Sequence, residues 1–544
     1  RSAPHPGIVL RSSSFMAKTS RAPATVCAEH IALSSFFYQV PAPVVRNALN
    51  LSFEQGDHVL PFSKERRLTE DLAFLAKTKD GWNHIPAVCV EQNSLGTILN
   101  VILAINKSTY ADGDDLLQNL KSRFEDIFHV LHDSKYEVAD KSKVQREVFA
   151  SIISMCSPRV LCRLRLERKA TKRPVQDLLK EAIFGIRRID SRKLHGKDLS
   201  VTSSSFISEA NKVIQLVDRW MRHQTPDELG DLVEGIHHLQ QTAPRFYDLL
   251  DLISNHDMVP SSRSSLLNII RKVSRYWGAA RQLYRTAKEF PLVRNMKIQL
   301  ASLPQEAFES QTSSSELSDL SSCLFRLGFV KGQKHSLSQL CRNLRVDEQA
   351  ARARYEGAQK ALLAPKIHAE IQIIAFCEIR APNLFPRVVS SSKDACFLCN
   401  TFIQLYGRIH TPRAHGRLYP GWRLPSLPQF RVLQQKLNKG LIESLQHNIS
   451  LGLAQGKLPV HPCPNESNVL TSSASGTTMS MPKPLSESPE GYISSIDSSS
   501  ITVSGDPPRR GPSLSISRLS SNETPSGNSI NTAYLLEGEL VNDF

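Results

Sequence analysis

From about residue 110 to 300, apolar positions recur three and four apart. DDLLQNLKSRFEDIFHVLH spaces Leu, Phe, Ile and Val in this way, and FISEANKVIQLVDRWMRH repeats the pattern. That spacing puts the apolar groups on one face of a helix. Thr225-Pro226-Asp227-Glu228 predicts a helix start, with Thr225 as the N-cap, Pro226 in the first turn and Glu228 closing a capping box. No repeat of fixed period is present, so a solenoid is not indicated. Residues 31–300 therefore read as a mainly helical, all-α N-terminal domain. LGTILNVILAI at 95–105 is the longest nearly unbroken apolar run. It falls short of the roughly 18 residues that a membrane span needs and predicts a core helix. The polar, Ser-rich segment 301–320 predicts a linker. Between 471 and 530 almost every third position is serine. Such a composition buries too little apolar surface to offset its ordering entropy, so 460–544 reads as a disordered tail.

The pattern breaks at IHAEIQIIAFCEI, where His368 and Glu370 sit two apart in an apolar run. Burying either group is costly without a partner. Deep inside a helix, residues two apart point nearly opposite ways. At a helix start the first residue is not yet helical and that constraint lifts; Pro365, just upstream, favours a start here. SSKDACFLCNTFIQLYG at 391–407 holds the complementary groups. Cys396 and Cys399 are three apart, on one face of a helix predicted to begin near Lys393, after a short strand at PRVV. A helix N-terminus lowers thiol pKa and favours the thiolate that a metal takes. His368, Cys396 and Cys399 make three ligands where tetrahedral zinc takes four. A catalytic site leaves the fourth position to water, and Glu370 is placed to accept that water's proton. A structural site closes it, with His410, His415 and Cys377 as the nearest further candidates. His237-His238 offers a weaker pair, because adjacent helical residues do not face one another.

His368-Ala369-Glu370, followed downstream by Cys396-Phe397-Leu398-Cys399, resembles the zinc-dependent cytidine deaminase-like superfamily. The words HAEIQ, SSKDACFLCN and HGRLYPGW resemble a divergent branch of it common in fungal genomes. The helical first half and the Ser-rich tail fall outside the resemblance. It implies an α+β chain in which a small α/β/α deaminase-like domain with a mixed sheet, at 321–450, follows the helical domain. It also implies a bound Zn²⁺ held by His368, Cys396 and Cys399, with Glu370 shuttling protons while water attacks C4 of cytosine or C6 of adenine. Ala395 stands where the family's usual signature carries Pro. Of the two strands expected before the His-Ala-Glu helix, CLFRLGFV at 323–330 is one candidate; residues 346–363 read as helix.

RIHTPRAHGRLYPGWRLP at 408–425 offers substrate contacts. Tyr419 and Trp422 are candidates to stack a base, with His415 beside them. Arg417, with Arg408, Arg413 and Arg423, is a candidate for phosphate. The formal net charge is +15 with a pI near 9.4. Residues 361–460 alone hold 12 Lys/Arg against 4 Asp/Glu. That surplus favours an acidic partner such as RNA or single-stranded DNA carrying the nucleobase substrate. Ten cysteines in 544 residues are too few for a disulfide scaffold and point to a reducing intracellular compartment, cytoplasmic or nuclear. Positions 1–28 carry Arg1, Arg11, Lys18 and Arg21 and no acid, so 1–30 reads as a disordered or targeting segment, a mitochondrial address among the options. Three functions fit these residues: a nucleobase deaminase, a catalytically silent binding scaffold on the same fold, and a structural zinc module.

Overall fold

Two neighbouring apolar strands organise the molecule. Pro86–Gln92 (β1) and Leu99–Ile105 (β2) form an antiparallel hairpin, with Pro86 opposite Ile105 and Gln92 opposite Leu99. Met296–Leu300 (β3) runs parallel to β2, and Val389–Ser391 (β4) runs antiparallel to β1, so the sheet order is β3-β2-β1-β4. This computed structural model describes residues 22–463 apart from 49–55, 82, 135–140, 168–169, 196–198, 244, 310–317 and 327–336. The predicted Ser-rich tail from 464 onward lies outside the described residues. The chain is α+β, as expected.

The side-chain period of a strand is two, and both faces of this sheet are buried. Val88, Val90, Val101, Leu103 and Ile105 face the core of the helical layer. Ala87, Cys89, Ile102 and Ala104 face a second core, shared with Ala369–Arg380 and Phe397–Tyr406. Phe62–Leu75 (α1) packs on β1 and β4. Glu65 fastens it there, accepting from Arg387 N at 3.0 Å and Arg387 Nε at 2.7 Å just before β4.

Several expectations are corrected. The core helix predicted at 95–105 is instead a turn and the strand β2. Gly96 takes a left-handed φ of 64°, and Asn93 Oδ1 accepts from Thr97 N and Ile98 N. A strand buried on both faces is apolar throughout and loses its alternation, so it imitates a short core helix. The strand candidate at 323–330 is helical over Leu320–Arg326, and the rest of it lies outside the described residues. The strands before the His-Ala-Glu helix come from 86–105, far upstream of it in the chain. Segment 301–320 does not separate two cores: Leu303 and Ala307 are buried in the core that holds Cys396 and Cys399. Nor does the N-terminal segment lie apart throughout. Pro23–Phe37 is a helix packed against Glu348–Ala361 and Arg431–Gln455; residues 1–21 lie outside the described residues.

Other expectations hold. Helices cover 114–133, 141–164, 175–187, 199–223, 226–242 and 260–289. Thr225 caps its helix, accepting from Glu228 N at 3.3 Å, but the Glu228 carboxylate pairs with Arg219 and does not close the predicted capping box. His237 is buried against Ser274 Oγ at 2.8 Å, whereas His238 lies beside Glu234. No helix among the described residues is long and apolar enough to cross a membrane.

Candidate metal centre and catalytic cavity

Two helix starts build the site. His368 is the N-cap of Ala369–Arg380 (α2), with the extended backbone angles φ −68° and ψ 152°. Its imidazole therefore leaves the chain before the helix begins, while Glu370 projects from the first turn. The start is tied to the end of β2. Ala369 N donates to Asn106 Oδ1 at 2.9 Å, and Gln372 Nε2 donates to Ile105 O and Ile367 O. Ile367 and Lys107 exchange backbone hydrogen bonds of 2.8 and 3.1 Å. Of the polar residues of HAEIQ, Glu370 and Gln372 are buried and His368 is half-buried, and each is engaged at this junction.

Cys396 is the N-cap of Phe397–Tyr406 (α3), and its Sγ accepts from Cys399 N at 3.4 Å. The helix thus begins a little after the predicted Lys393. Backbone bonds from Phe397 N to Arg417 O and from His415 N to Ala395 O lace this start to the HGRLY segment. There Gly416 has a φ of 73°, and a Cβ on it would stand 1.9 Å from Ala42 O, so the residue must be glycine.

His368 Nδ1 lies 3.6 Å from Cys396 Sγ and 3.4 Å from Cys399 Sγ, and all three ligand atoms fall within 4.8 Å of one another. Two thiols and an imidazole at these separations, at two converging helix N-termini, could hold a metal ion. Burial works against charge on Cys396, but its hydrogen bonding with Cys399 and the adjacent His368 hold its thiol well below the ordinary range. Burial and the neighbouring Cys396 push Cys399 up. Burial also raises Glu370, which accepts a hydrogen bond from Ser391. The Glu370 carboxyl lies 3.7 Å from Cys399 Sγ. Among the described residues, no fourth His, Cys, Asp or Glu joins the trio. His410 packs against Phe62, the free thiols of Cys377 and Cys89 share a hydrogen bond, and His415 faces the cavity.

A cavity of about 480 Å³ opens on these groups, lined by His368, Glu370, Cys396, Asn106, His415 and Tyr419 among others. Its volume is in the range of small-molecule sites. Tyr419 lies against both histidines, its ring centre 6.1 Å from that of His368 and 5.7 Å from that of His415. Trp422 departs from its expected place. It is 1 % exposed, and its indole Nε1 donates to Cys399 Sγ at 3.3 Å, so it supports the candidate metal ligand Cys399 and presents no face to a base. The arginines of this segment are also engaged. Arg408 pairs with Glu378, Arg413 with Asp394 at 3.0 Å, and Arg423 donates to the carbonyls of Ala307, Phe308 and Glu309. Arg417 lies over Tyr419 at 5.6 Å. Asn106 was not singled out from the sequence; only the hairpin that carries it to α2 reveals it.

A capping histidine, a capping cysteine with its i+3 partner and a buried carboxyl beside them, set against a sheet, define a deaminase-like domain. Residues 367–426 match the family model of the OTT_1508-like deaminases, a stretch that contains all four of these groups. No curated protein and no solved structure matches the chain.

Proposed function

We propose that the protein is a zinc-dependent hydrolytic deaminase acting on a cytosine or adenine base in a nucleotide or nucleic acid. The donor set suits zinc. Bond lengths of about 2.3 Å to sulfur and about 2.1 Å to nitrogen, at tetrahedral angles, require an N···S separation of about 3.6 Å. The separations here are 3.4 and 3.6 Å. When bound, zinc supplies Lewis-acid activation of a water at its fourth position.

The observation that carries this reading is the place of Glu370. It is 4 % exposed, lines the same cavity as His368 and Cys396, and is raised by burial. A carboxyl raised in this way holds a proton more readily than an ordinary surface carboxylate, as a group that takes and returns one must. Glu370 takes a proton from the attacking water as the C–O bond forms at the amino-bearing ring carbon. It delivers that proton to the ring nitrogen. The second water proton then passes to the departing amine as the C–N bond breaks, and ammonia leaves. Tyr419 and His415 flank the base, and Asn106 stands at the same wall.

The test is Glu370→Gln, assayed by ammonia release from cytosine and adenine substrates ranging from nucleosides to oligonucleotides. The variant should keep its zinc and its fold and lose at least about 10²-fold in rate. A zinc-loaded variant as fast as wild type would falsify the mechanism. A zinc-loaded wild type that binds these compounds yet releases no ammonia from any of them would make the domain a binding module.

A further inference from the structure

A second group of polar residues lies under the helical layer. Lys77 follows α1, Arg159 and Arg163 lie on 141–164, Lys272 on 260–289, and Lys393 between β4 and α3. Lys77, Arg159 and Lys272 are each buried. Their shared carboxylate is Asp80, which pairs with Arg159. Lys77 Nζ donates to Gly81 O at 2.6 Å. Arg163 donates to Tyr276 OH at 2.9 Å and lies 4.8 Å over Phe74. The Nε groups of Arg159 and Arg163 are buried with no partner among the described residues. Burial, then Arg159 and Lys393, pushes Lys77 down to about 8. Burial, then Arg163 and Arg159, pushes Lys272 down to about 7. Five basic groups around one carboxylate repel one another in a low-dielectric setting, which an apo protein gains nothing by keeping.

Lys77 brings this cluster to the edge of open space, and Asp80 links it to Arg159. Lys77, Thr78, Lys79 and Asp80 line a cavity of about 240 Å³, and Asn83 is common to it and to the candidate catalytic cavity. Its other titratable lining residue, His84, is held by Asp112 at 2.8 Å. We propose that this second cavity, edged by Lys77 and Lys79 and backed by Arg159 and Lys272, binds a phosphate-type oxyanion. An anion held by Lys77 and Lys79 turns the mutual repulsion of the basic groups behind them into attraction. The phosphate comes either from solution or from a nucleotide whose base occupies the neighbouring cavity. The site stands whether or not residues 367–426 turn over a nucleobase.

The full chain, dialysed into phosphate-free buffer, is assayed for bound phosphorus after denaturation. It is then titrated calorimetrically with inorganic phosphate at constant chloride ionic strength. Co-purified phosphorus, or binding that chloride does not reproduce, is the expected result. Lys272→Met should bind phosphate at least about tenfold more weakly, because it removes one buried positive charge close behind the cavity. Its melting temperature without phosphate should equal or exceed that of wild type, because one buried repulsion is gone. Lys77→Met serves as the second variant should the first fail to fold. If 5′-CMP or AMP binds at least about tenfold tighter than its nucleoside in a Lys77-dependent way, the phosphate is the substrate's own. Lys77-dependent binding of phosphate without that preference marks a separate ligand. The proposal is overturned if the purified protein holds no phosphorus and wild type binds phosphate no differently from the Lys variants. Neither result depends on Glu370 or on metal, so failure of the deaminase reading leaves this test intact.

Discussion

Trp422→Phe isolates one hydrogen bond at the metal centre. The indole N–H reaches Cys399 Sγ at 3.3 Å, and Trp422 is 1 % exposed, so no solvent stands ready to replace the donor. Phenylalanine keeps an aromatic ring in the site but cannot donate. A hydrogen bond to a charged acceptor contributes about 1.5–3 kcal/mol net. Lost from a metal-bound thiolate, that corresponds to roughly 10- to 100-fold weaker metal binding, the range found when groups supporting a ligand are removed. The affinity is read by competition with a calibrated chelator. In parallel, cobalt(II) is loaded and its sulfur-to-metal charge-transfer band recorded, because an N–H donor withdraws electron density from sulfur and sets the energy of that band. Melting temperatures of the metal-free proteins separate this effect from lost packing. The reasoning fails if Trp422→Phe lowers the metal-free melting temperature while metal affinity and the cobalt band stay at wild-type values.

Arg387→Met strands Glu65, whose side chain is 3 % exposed and takes its main partners from Arg387. Removing one member of a buried pair costs about 3–5 kcal/mol, read as a lowered urea midpoint, and an unchanged midpoint would refute the role given to this clamp. Cys396→Ser should abolish stoichiometric zinc, since it removes one of three protein ligands; full occupancy in a metal analysis would rule out the ligand set. Burial, reinforced by Arg281, lowers His237 from 6.5 to about 4. The unfolded chain therefore binds this proton more tightly than the folded one, and stability present above pH 6.5 is lost as pH falls from there through about 4. His237→Gln should flatten that acid slope in urea titrations, and an identical slope in the variant would argue against it.

The candidate site was legible in the sequence because it is local. His368 and Glu370 serve one site through the change of backbone direction at a helix start, and Pro365 and the apolar run after it announce that start. Cys396, at the N-cap, and Cys399, in the first turn, converge through the geometry of a single helix start. The capped helix at Thr225 and the helical block around it follow from the same short-range rules. What surrounds the site was decided by contacts far apart in the chain. Asn106 reaches Ala369 across 263 positions, and Glu65 reaches Arg387 across 322. Ala87–Cys89 pairs with Val389–Ser391, so the sheet beneath the metal centre is assembled from both ends of the folded chain. No local pattern encodes such pairings. A strand buried on both faces has no alternation to betray it, which is why 95–105 reads as a helix until its neighbours are known. Trp422 shows the same limit at one residue. Its composition and position suit a stacking platform, and only the tertiary packing, which buries the ring and aims its N–H at Cys399, makes it part of the metal centre.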